Sequence, residues 1–329
     1  MTASIEDIRK VISDHRSFVL TTHVNPDGDG LGSELALAYF LRDLGKKSAI
    51  LNHNETPENY RWLDGEGLIG TFDPKRDGKQ ISDADVIFIL DTNQPDRLRS
   101  LGPFVLQSKA TKVVIDHHLQ PHKFADYYLI DDGATSTGEI IYRLLNSFGG
   151  SAIGRPGAIA LYTAIMTDTG SFRYPRTDSD THEITADLLS RGVDPTETYI
   201  NVYESWTEGR MRLLGEALDT LKTMYNGRLA YIVCTQKMFK ATGTTEVETD
   251  NFTVYPMSVR GVLVGILFNE LEDGVKMSFR SRGTIPVNEL AKEFGGNGHL
   301  NAAGARLFNV GLRETVDRVL QKVALFLPK

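Results

Sequence analysis

Residues 21–33 read T-T-H-V-N-P-D-G-D-G-L-G-S and hold one imidazole, His23, two carboxylates, Asp27 and Asp29, and three glycines. They follow the apolar run 18–20 and precede a helix-like pattern over 34–44, so they sit where a strand hands over to a helix. In an extended loop residues two apart point to the same side, which would aim Asp27 and Asp29 at one spot. Two carboxylates so placed repel unless a cation lies between them or one is protonated. Asn-Pro-Asp-Gly is also good turn chemistry, and on this stretch alone a turn explains the residues equally well. Two further strand-like runs end in the same kind of residue. The run D-V-I-F-I-L at 85–90 leads into Asp91, and V-V-I at 113–115 leads into Asp116, His117 and His118. Singly, Asp91 reads as a cap and His117 as a satisfied core histidine. Together, three strand ends loaded with ligand types read as one cleft, because open α/β sheets bind ligands at the carboxyl ends of their strands.

Two histidines and four or five carboxylates exceed what one ion takes, and they suit two ions that share an aspartate. Oxygen-rich ligands with some imidazole, and no cysteine among them, favour Mn²⁺, Mg²⁺ or Fe²⁺ over a thiolate zinc site. Two such ions, about 3.5–4 Å apart, activate a bridging hydroxide and stabilise both oxygens of an in-line displacement at phosphorus.

The surrounding pattern supplies the elements that would hold these residues. Ser4 caps a helix whose apolar positions are Ile5, Ile8, Val11 and Ile12, and strands alternate with helices through residue 191, including a helix over 155–167. That order predicts an α/β fold, a doubly wound and mostly parallel sheet. Residues 195–223 are mostly helical, and the pattern then turns strand-rich at 229–235, 259–271 and 275–280, with helices over 286–294 and 312–326. This predicts a catalytic domain over 1–194, a helical connector over 195–222, and a smaller α+β domain over 223–329.

The 329 residues carry a formal charge of −7, which argues against a general binder of long duplex nucleic acid. Residues 223–329 hold 13 Lys and Arg against 10 Asp and Glu, and the rest of the chain 23 against 33. The single cysteine, Cys234, excludes a disulfide framework within one chain and reads as a core thiol. No signal-peptide core opens the sequence, and the longest apolar stretch, near 262–268, is too short to span a bilayer. A cytoplasmic protein with no membrane partner is expected.

Taken in order, H-x-N-P-D-G-D-G-L-G-S at 23–33, L-D-T at 90–92, I-D-H-H at 115–118, T-D-T-G-S-F-R-Y at 167–174, S-F-R-S-R-G at 278–283 and G-G-N-G-H-x-x-A-A-G at 295–304 resemble the DHH/DHHA1 phosphoesterase family, over nearly the whole chain. Within it the chain looks like the stand-alone nanoRNase/pAp-phosphatase branch. The resemblance implies two divalent cations, Mn²⁺ first, with Mg²⁺, Co²⁺ or Fe²⁺ as alternatives. It gives one ion to His23, Asp27 and Asp91 and the other to Asp29, Asp91, His117 and Asp168. Asp168 enters only in this way, since it closes a helix rather than a strand.

Asp116 is expected to orient the His117 ring. His118 is expected to contact the scissile phosphate or to assist proton transfer, or else to make a supporting contact only. In the second domain the resemblance assigns substrate to Arg280, Arg282, Gly295, Gly296, Gly298 and His299. The glycines would let backbone N–H groups approach a phosphate, and the two arginines, two apart on a strand, would grip it from one side. Without the resemblance, these residues read as a glycine turn beside solvated arginines. Asn297 stands where the family often has glycine, and Asn tolerates positive φ.

The implied activity is hydrolysis of short RNA oligonucleotides to mononucleotides and of 3′-phosphoadenosine 5′-phosphate (pAp) to AMP. Cyclic di-AMP or its linear product pApA is the alternative substrate, and a homodimer is the family's expectation. A nucleotide-sensing module without catalysis is the competing class, and the completeness of the ligand set argues against it.

Overall fold

The computed structural model describes residues 1–328, with the side chain of His299 outside that description. The chain divides into two compact units, Met1–Ser205 and Trp206–Lys329.

The first unit is built on six parallel strands: β1 (Ser17–Thr21), β2 (Lys47–Asn52), β3 (Ile69–Thr71), β4 (Val86–Leu90), β5 (Thr111–Asp116) and β6 (Tyr127–Ile130). Their order in the sheet is β3-β2-β1-β4-β5-β6, every pairing parallel. All five residues of β4 are buried, as a central strand covered on both faces requires. Phe18, Leu20, Phe88 and Leu90 pack into one core, against α1 (Ile5–Asp14), α2 (Gly28–Asp43), α5 (Thr137–Asn146) and α6 (Arg155–Asp168). The alternate residues Val19, Ile87 and Ile89 face a second core with α3 (Pro74–Asp83) and α4 (Gly102–Gln107). The unit closes with α7 (Ser179–Ser190), α8 (Pro195–Tyr199) and a π-helical turn over Ile200–Glu204. The strand order reverses between β1 and β4, and parallel strands place all their carboxyl ends on one edge. The crevice at that reversal is where such sheets bind ligands.

The helix after β1 starts six residues before the expected 34–44, at Gly28. Its glycines are there for contact rather than for a loop. A Cβ on Gly32 would lie 2.3 Å from the Ala160 carbonyl oxygen of α6, and one on Gly28 2.4 Å from Thr167 Oγ1. Gly138 of α5 approaches Ala164 in the same way, at 2.5 Å. Three helices thus meet almost backbone to backbone, and their ends converge beside β1 and β4. Gly32→Ala should gain up to about 1 kcal/mol in helix propensity and lose more to overpacking against a carbonyl that cannot rotate away. A net destabilisation of about 2 kcal/mol in urea unfolding is expected; an unchanged midpoint would mean that the two helices have slack.

The second unit carries α9 (Glu208–Asp219), α10 (Gln236–Thr242), α11 (Val254–Met257), α12 (Val287–Lys292) and α13 (Leu312–Val323). Its sheet has β7 (Lys222–Met224), β8 (Leu229–Cys234), β9 (Val264–Leu271), β10 (Gly274–Ser281), β11 (Asn297–His299) and β12 (Ala302–Phe308), in the order β11-β12-β10-β9-β8-β7. Only β8 and β9 run parallel. Ile266, Phe268, Met277 and Phe279 pack with α12 and α13 on one face, while Ile232, Cys234 and Leu267 pack with α9, α10 and Phe252 on the other. Cys234 is buried, and burial pushes its thiol up to about 12, so it is an inert core residue. Among the described residues no helix is long and apolar enough to cross a membrane.

Candidate metal centre

Residues 22–27 carry the chain from β1 into α2, and the two carboxylates there do different work. Asp27 is the N-cap of α2, and its Oδ1 accepts the N–H groups of Asp29 and Gly30 (3.1 and 3.2 Å). Its Oδ2 lies 3.6 Å from His23 Nε2. Asp29 stands in the first helical turn, not in an extended loop, so the alternation expected of the two residues is replaced by helical geometry. Its carboxylate receives the N–H groups of Thr137 (2.7 Å) and Gly138 (2.8 Å) at the N-terminus of α5. An anion is favoured there by the unsatisfied N–H groups and the helix dipole.

Asp91, immediately after β4, adopts φ 58°, a left-handed conformation uncommon outside glycine and asparagine. That turn presents its carboxylate between two imidazoles. Oδ2 lies 3.1 Å from His23 Nε2, and Oδ1 lies 3.6 Å from His117 Nε2. The Thr137 hydroxyl donates to the same Oδ1 at 3.1 Å. His117 Nε2 is also 3.4 Å from Asp168 Oδ2 and 3.8 Å from Asp29 Oδ2. The other ring nitrogen of each histidine faces a backbone carbonyl, His23 Nδ1 that of Val24 (2.9 Å) and His117 Nδ1 that of Ala134 (3.4 Å). With Nδ1–H donating there, both Nε2 atoms are left facing the carboxylates, where each can ligate a cation or, without one, carry a proton.

Asp116 does not hold the His117 ring as expected. Its Oδ1 accepts the backbone N–H groups of His117 (2.8 Å) and His118 (3.2 Å) and lies 2.7 Å from His118 Nδ1. The reason is local: Asp116 closes β5, the next two amides fold back over its carboxylate, and His118 is the ring brought within reach.

His23, Asp29, Asp91 and His117 are all buried, Asp29 and Asp91 to 2 % exposure. Burial, then repulsion from Asp91, Asp168 and Asp27, pushes the Asp29 carboxyl well above the ordinary carboxylate range. Asp168 is only half-buried; the desolvation it does undergo and repulsion from Asp91 and Asp27 push it up to about 8. Burial opposes charge on Asp91 too, but the hydrogen bond and charge of His23 outweigh it and hold Asp91 below the usual range. Burial also works against a charged His23; its hydrogen bonds to Asp27 and Asp91 prevail and raise it to about 10. Burial lowers His117. Without a cation, then, this set must take up protons to relieve its own charge. A divalent cation is the other way to relieve it, and four carboxylates with two imidazoles and no sulfur are donors for an ion of the Mn²⁺ or Mg²⁺ kind. Ligand atoms of His23, Asp27 and Asp91 lie within 4.8 Å of one another, as do those of Asp29, His117 and Asp168. The residues present fit the group.

Three contributors went unread in the sequence. The segment around Thr137 reads as a helix start, but nothing local shows that it meets Asp29 and Asp91. Glu34 of α2 and Asn52 of β2 form a buried pair (2.8 Å) behind His23. Burial raises Glu34 to about 8.

In the second unit, β10 ends at Ser281, so Arg282 lies beyond the strand and does not share a strand face with Arg280. The chain turns there, with Gly283 at φ 63°. Arg280 is half-buried, and its Nη1 donates to the Phe279 carbonyl (3.0 Å); Arg282 is exposed and donates to the Met257 carbonyl (2.8 Å). The N–H groups of Gly295 and Gly296 donate to the carbonyls of Lys292 (3.0 Å) and Ala291 (2.9 Å), closing α12, so these two donors are not available to a phosphate as expected. Gly296 and Gly298 instead allow a close approach to β12, since a Cβ would fall 2.1 Å from the Gly304 oxygen and 2.4 Å from Ala303 Cα respectively. His299 ends β11, and its side chain lies outside the described residues.

Comparison with known proteins agrees with this architecture. The N-terminal domain of the DHH family matches residues 17–166 and the DHHA1 domain matches residues 226–328. A Thermus thermophilus protein named bifunctional oligoribonuclease and PAP phosphatase NrnA is 30% identical over 306 residues, 92% of this chain and 88% of that protein. The protein of the same name from Bacillus subtilis is 25% identical over 316 residues, 95% of this chain and 96% of the other. The crystal structure of an exopolyphosphatase-related protein from Bacteroides fragilis superposes with a TM-score of 0.93 at 33% identity, covering 97% of this chain and 95% of that one. Sheet order, acidic–histidine centre and second domain together define a phosphoesterase, a hydrolase of phosphoric esters. The chain belongs to the DHH/DHHA1 family.

Proposed function

We propose that this phosphoesterase works with two divalent cations, Mn²⁺ first, to release mononucleotides from short RNA oligonucleotides and to convert pAp to AMP. The observation that carries the reading is the position of Asp91 between the two imidazoles, which makes one carboxylate common to two ligand groups. His23, Asp27 and Asp91 would hold one cation, and Asp29, Asp91, His117 and Asp168 the other. Cations bound there would lower the pKa of an attacking water and offset charge on the phosphoryl oxygens.

The chain's own residues do the remaining work. The α5 N-terminus and Thr137 fix the aim of Asp29 and Asp91. Asp116 fixes Nδ1 of His118, a half-buried ring whose Nε2 would give a proton to the leaving oxygen as the new P–O bond forms and the ester P–O bond breaks. Without a cation, burial works against a charged His118, and the hydrogen bond to Asp116 with the charge of Asp91 outweighs it and raises the ring. Residues 1–194 would act as the catalytic part, 195–222 as connector and 223–329 as the part that takes a distal phosphate, through Arg280, Arg282, Gly298 and His299. Gly295 and Gly296 would contribute by leaving room. The names of the two relatives, each matched over more than nine-tenths of this chain, support the pairing of RNA oligonucleotides with pAp.

The test is turnover with Mn²⁺, in parallel, of pAp, a short RNA, a short DNA, cyclic di-AMP and linear pApA. Fastest hydrolysis of pAp and short RNA is expected. Turnover confined to the cyclic or linear di-adenylate would replace the substrate class, and none with any of the five would leave only a binding module. Arg280→Ala should raise KM for phosphate-ended substrates about tenfold with kcat little changed, as loss of a charge-assisted contact equally strong in ground and transition states requires. Unchanged kinetics on every phosphorylated substrate would remove Arg280 from the site.

A further inference from the structure

His23 lies on a segment that belongs to neither β1 nor α2, yet its ring must be aimed to within a fraction of an ångström. The Val24 N–H donates to the Arg97 carbonyl at 2.8 Å, and the side chains that hold the segment come from the end of β2. Asn52 is fully buried, and its Oδ1 accepts the Thr22 N–H at 3.1 Å. Two residues on, Asn54 Oδ1 accepts the Asn25 N–H at 2.9 Å. The backbone is thus pinned on both sides of His23.

An asparagine amide can point either way, and only one end accepts. Asn52 is fixed in the accepting sense because its Nδ2 donates to Glu34 Oε2 at 2.8 Å. Glu34 is fully buried, and its Oε1 has no hydrogen-bond partner among the described residues. Packing alone does not explain a buried carboxyl here, since an apolar side chain would fill the space without an unpaired polar atom. Removing Glu34 would leave Nδ2 a buried donor without an acceptor, or let the amide flip and set its NH₂ against the Thr22 N–H.

We infer that the buried Glu34–Asn52 pair is a positioning device for His23, selective for the cation held by His23, Asp27 and Asp91. The inference rests on the two-cation reading above and adds to it which ion depends on residues that touch neither. Asp29, His117 and Asp168 are held by α5, the Ala134 carbonyl and the end of α6, and the shared Asp91 is held independently of His23 by the Thr137 hydroxyl and its own N–H on the Ile115 carbonyl, so the other cation should feel little of the change.

The experiment is calorimetric titration of the chelator-stripped, full-length protein with Mn²⁺, with electron paramagnetic resonance counting bound ions. The wild type should take two ions. Glu34→Ala should take one with wild-type affinity and bind the other about 10–100-fold more weakly, the usual effect of losing a partner that orients a ligand. Glu34→Gln, whose side-chain carbonyl can accept the same hydrogen bond, should restore the second ion. Asn52→Ala should repeat the selective loss and decides the matter if Glu34→Ala does not fold. Wild-type binding of both ions by Glu34→Ala or by Asn52→Ala overturns the inference, as does equal weakening of both ions without rescue by Gln. Fewer than two ions in the wild type overturns the two-cation reading itself, and the inference with it.

Discussion

Asp91→Ala is expected to lower Mn²⁺-dependent hydrolysis by at least about a thousandfold, while leaving the protein folded. Among the described residues no other carboxylate lies as close to both His23 and His117, at 3.1 and 3.6 Å. Its loss should therefore disturb both cation positions at once, whereas loss of Asp27 should disturb one. Folding is a separate matter, because the Asp91 N–H donates to the Ile115 carbonyl (3.0 Å) whatever the side chain is. Alanine at φ 58° adds strain of about 1–2 kcal/mol. Asp91→Asn is the cleaner companion, since asparagine tolerates that conformation, keeps the volume and can still accept from the Thr137 hydroxyl. Both variants should be inactive with Mn²⁺, and the asparagine one should melt within a few degrees of the wild type. Near wild-type turnover from either would end the two-metal mechanism.

Much of this centre is legible in the sequence because parallel strands buried on both faces are nearly continuous apolar runs. Residues 18–20, 85–90 and 113–115 stand out for that reason, and polar residues at their ends are conspicuous. Residues that reach the site from other element types were not legible in the same way. Asp168 closes α6 and came only through the family resemblance, while Thr137 meets Asp29 across 108 positions of sequence. Gly28 and Gly32 were read as part of a loop, because the carbonyl and hydroxyl they pack against belong to another helix. β6 escaped notice because Tyr127–Ile130 is half-buried at every position and shows no alternation. β12 begins A-A-G-A, a poor strand former, and is paired on both sides only because Gly296 and Gly298 let β11 come close. The N–H groups of Gly295 and Gly296 illustrate the converse. A glycine pair suggests donors turned toward a ligand, but here a preceding helix had already claimed them.

The protein stripped of metal should lose stability steadily as pH rises from 5 to 8, and Mn²⁺ should restore more of it the higher the pH. Asp168 holds its proton to about 8 in the folded chain but would release it near 3.8 when unfolded. Its contribution is complete below 3.8 and is lost as pH rises through about 8, since stability falls with pH wherever the folded state binds more protons. Asp29, raised by burial and its neighbours, acts in the same direction, and so does Glu34 between 4.5 and about 8. His23, raised to about 10, contributes fully below 6.5 and adds to the decline above it. His117 opposes them, because its lowered value costs stability below 6.5 and that cost fades as pH rises. One imidazole against three carboxyls, His23 and the raised His118 leaves a net decline. The carboxylates elsewhere that are held low, such as Asp77, Asp85 and Asp187, lose their contribution only as pH falls below 3.8, so they add no slope in this window. A cation displaces the same protons, so its affinity rises with pH. Mn²⁺ at a hundred times its dissociation constant stabilises by about 2.7 kcal/mol, which for a domain of this size moves the midpoint by roughly 5–10 °C. Melting curves in chelator and in Mn²⁺ at pH 5, 6, 7 and 8 should therefore diverge, the chelator series falling and the Mn²⁺ series nearly level. Parallel series, or a chelator series that is flat, would mean that these carboxyls do not exchange protons for metal, and the centre would have to be read as a purely structural acid cluster.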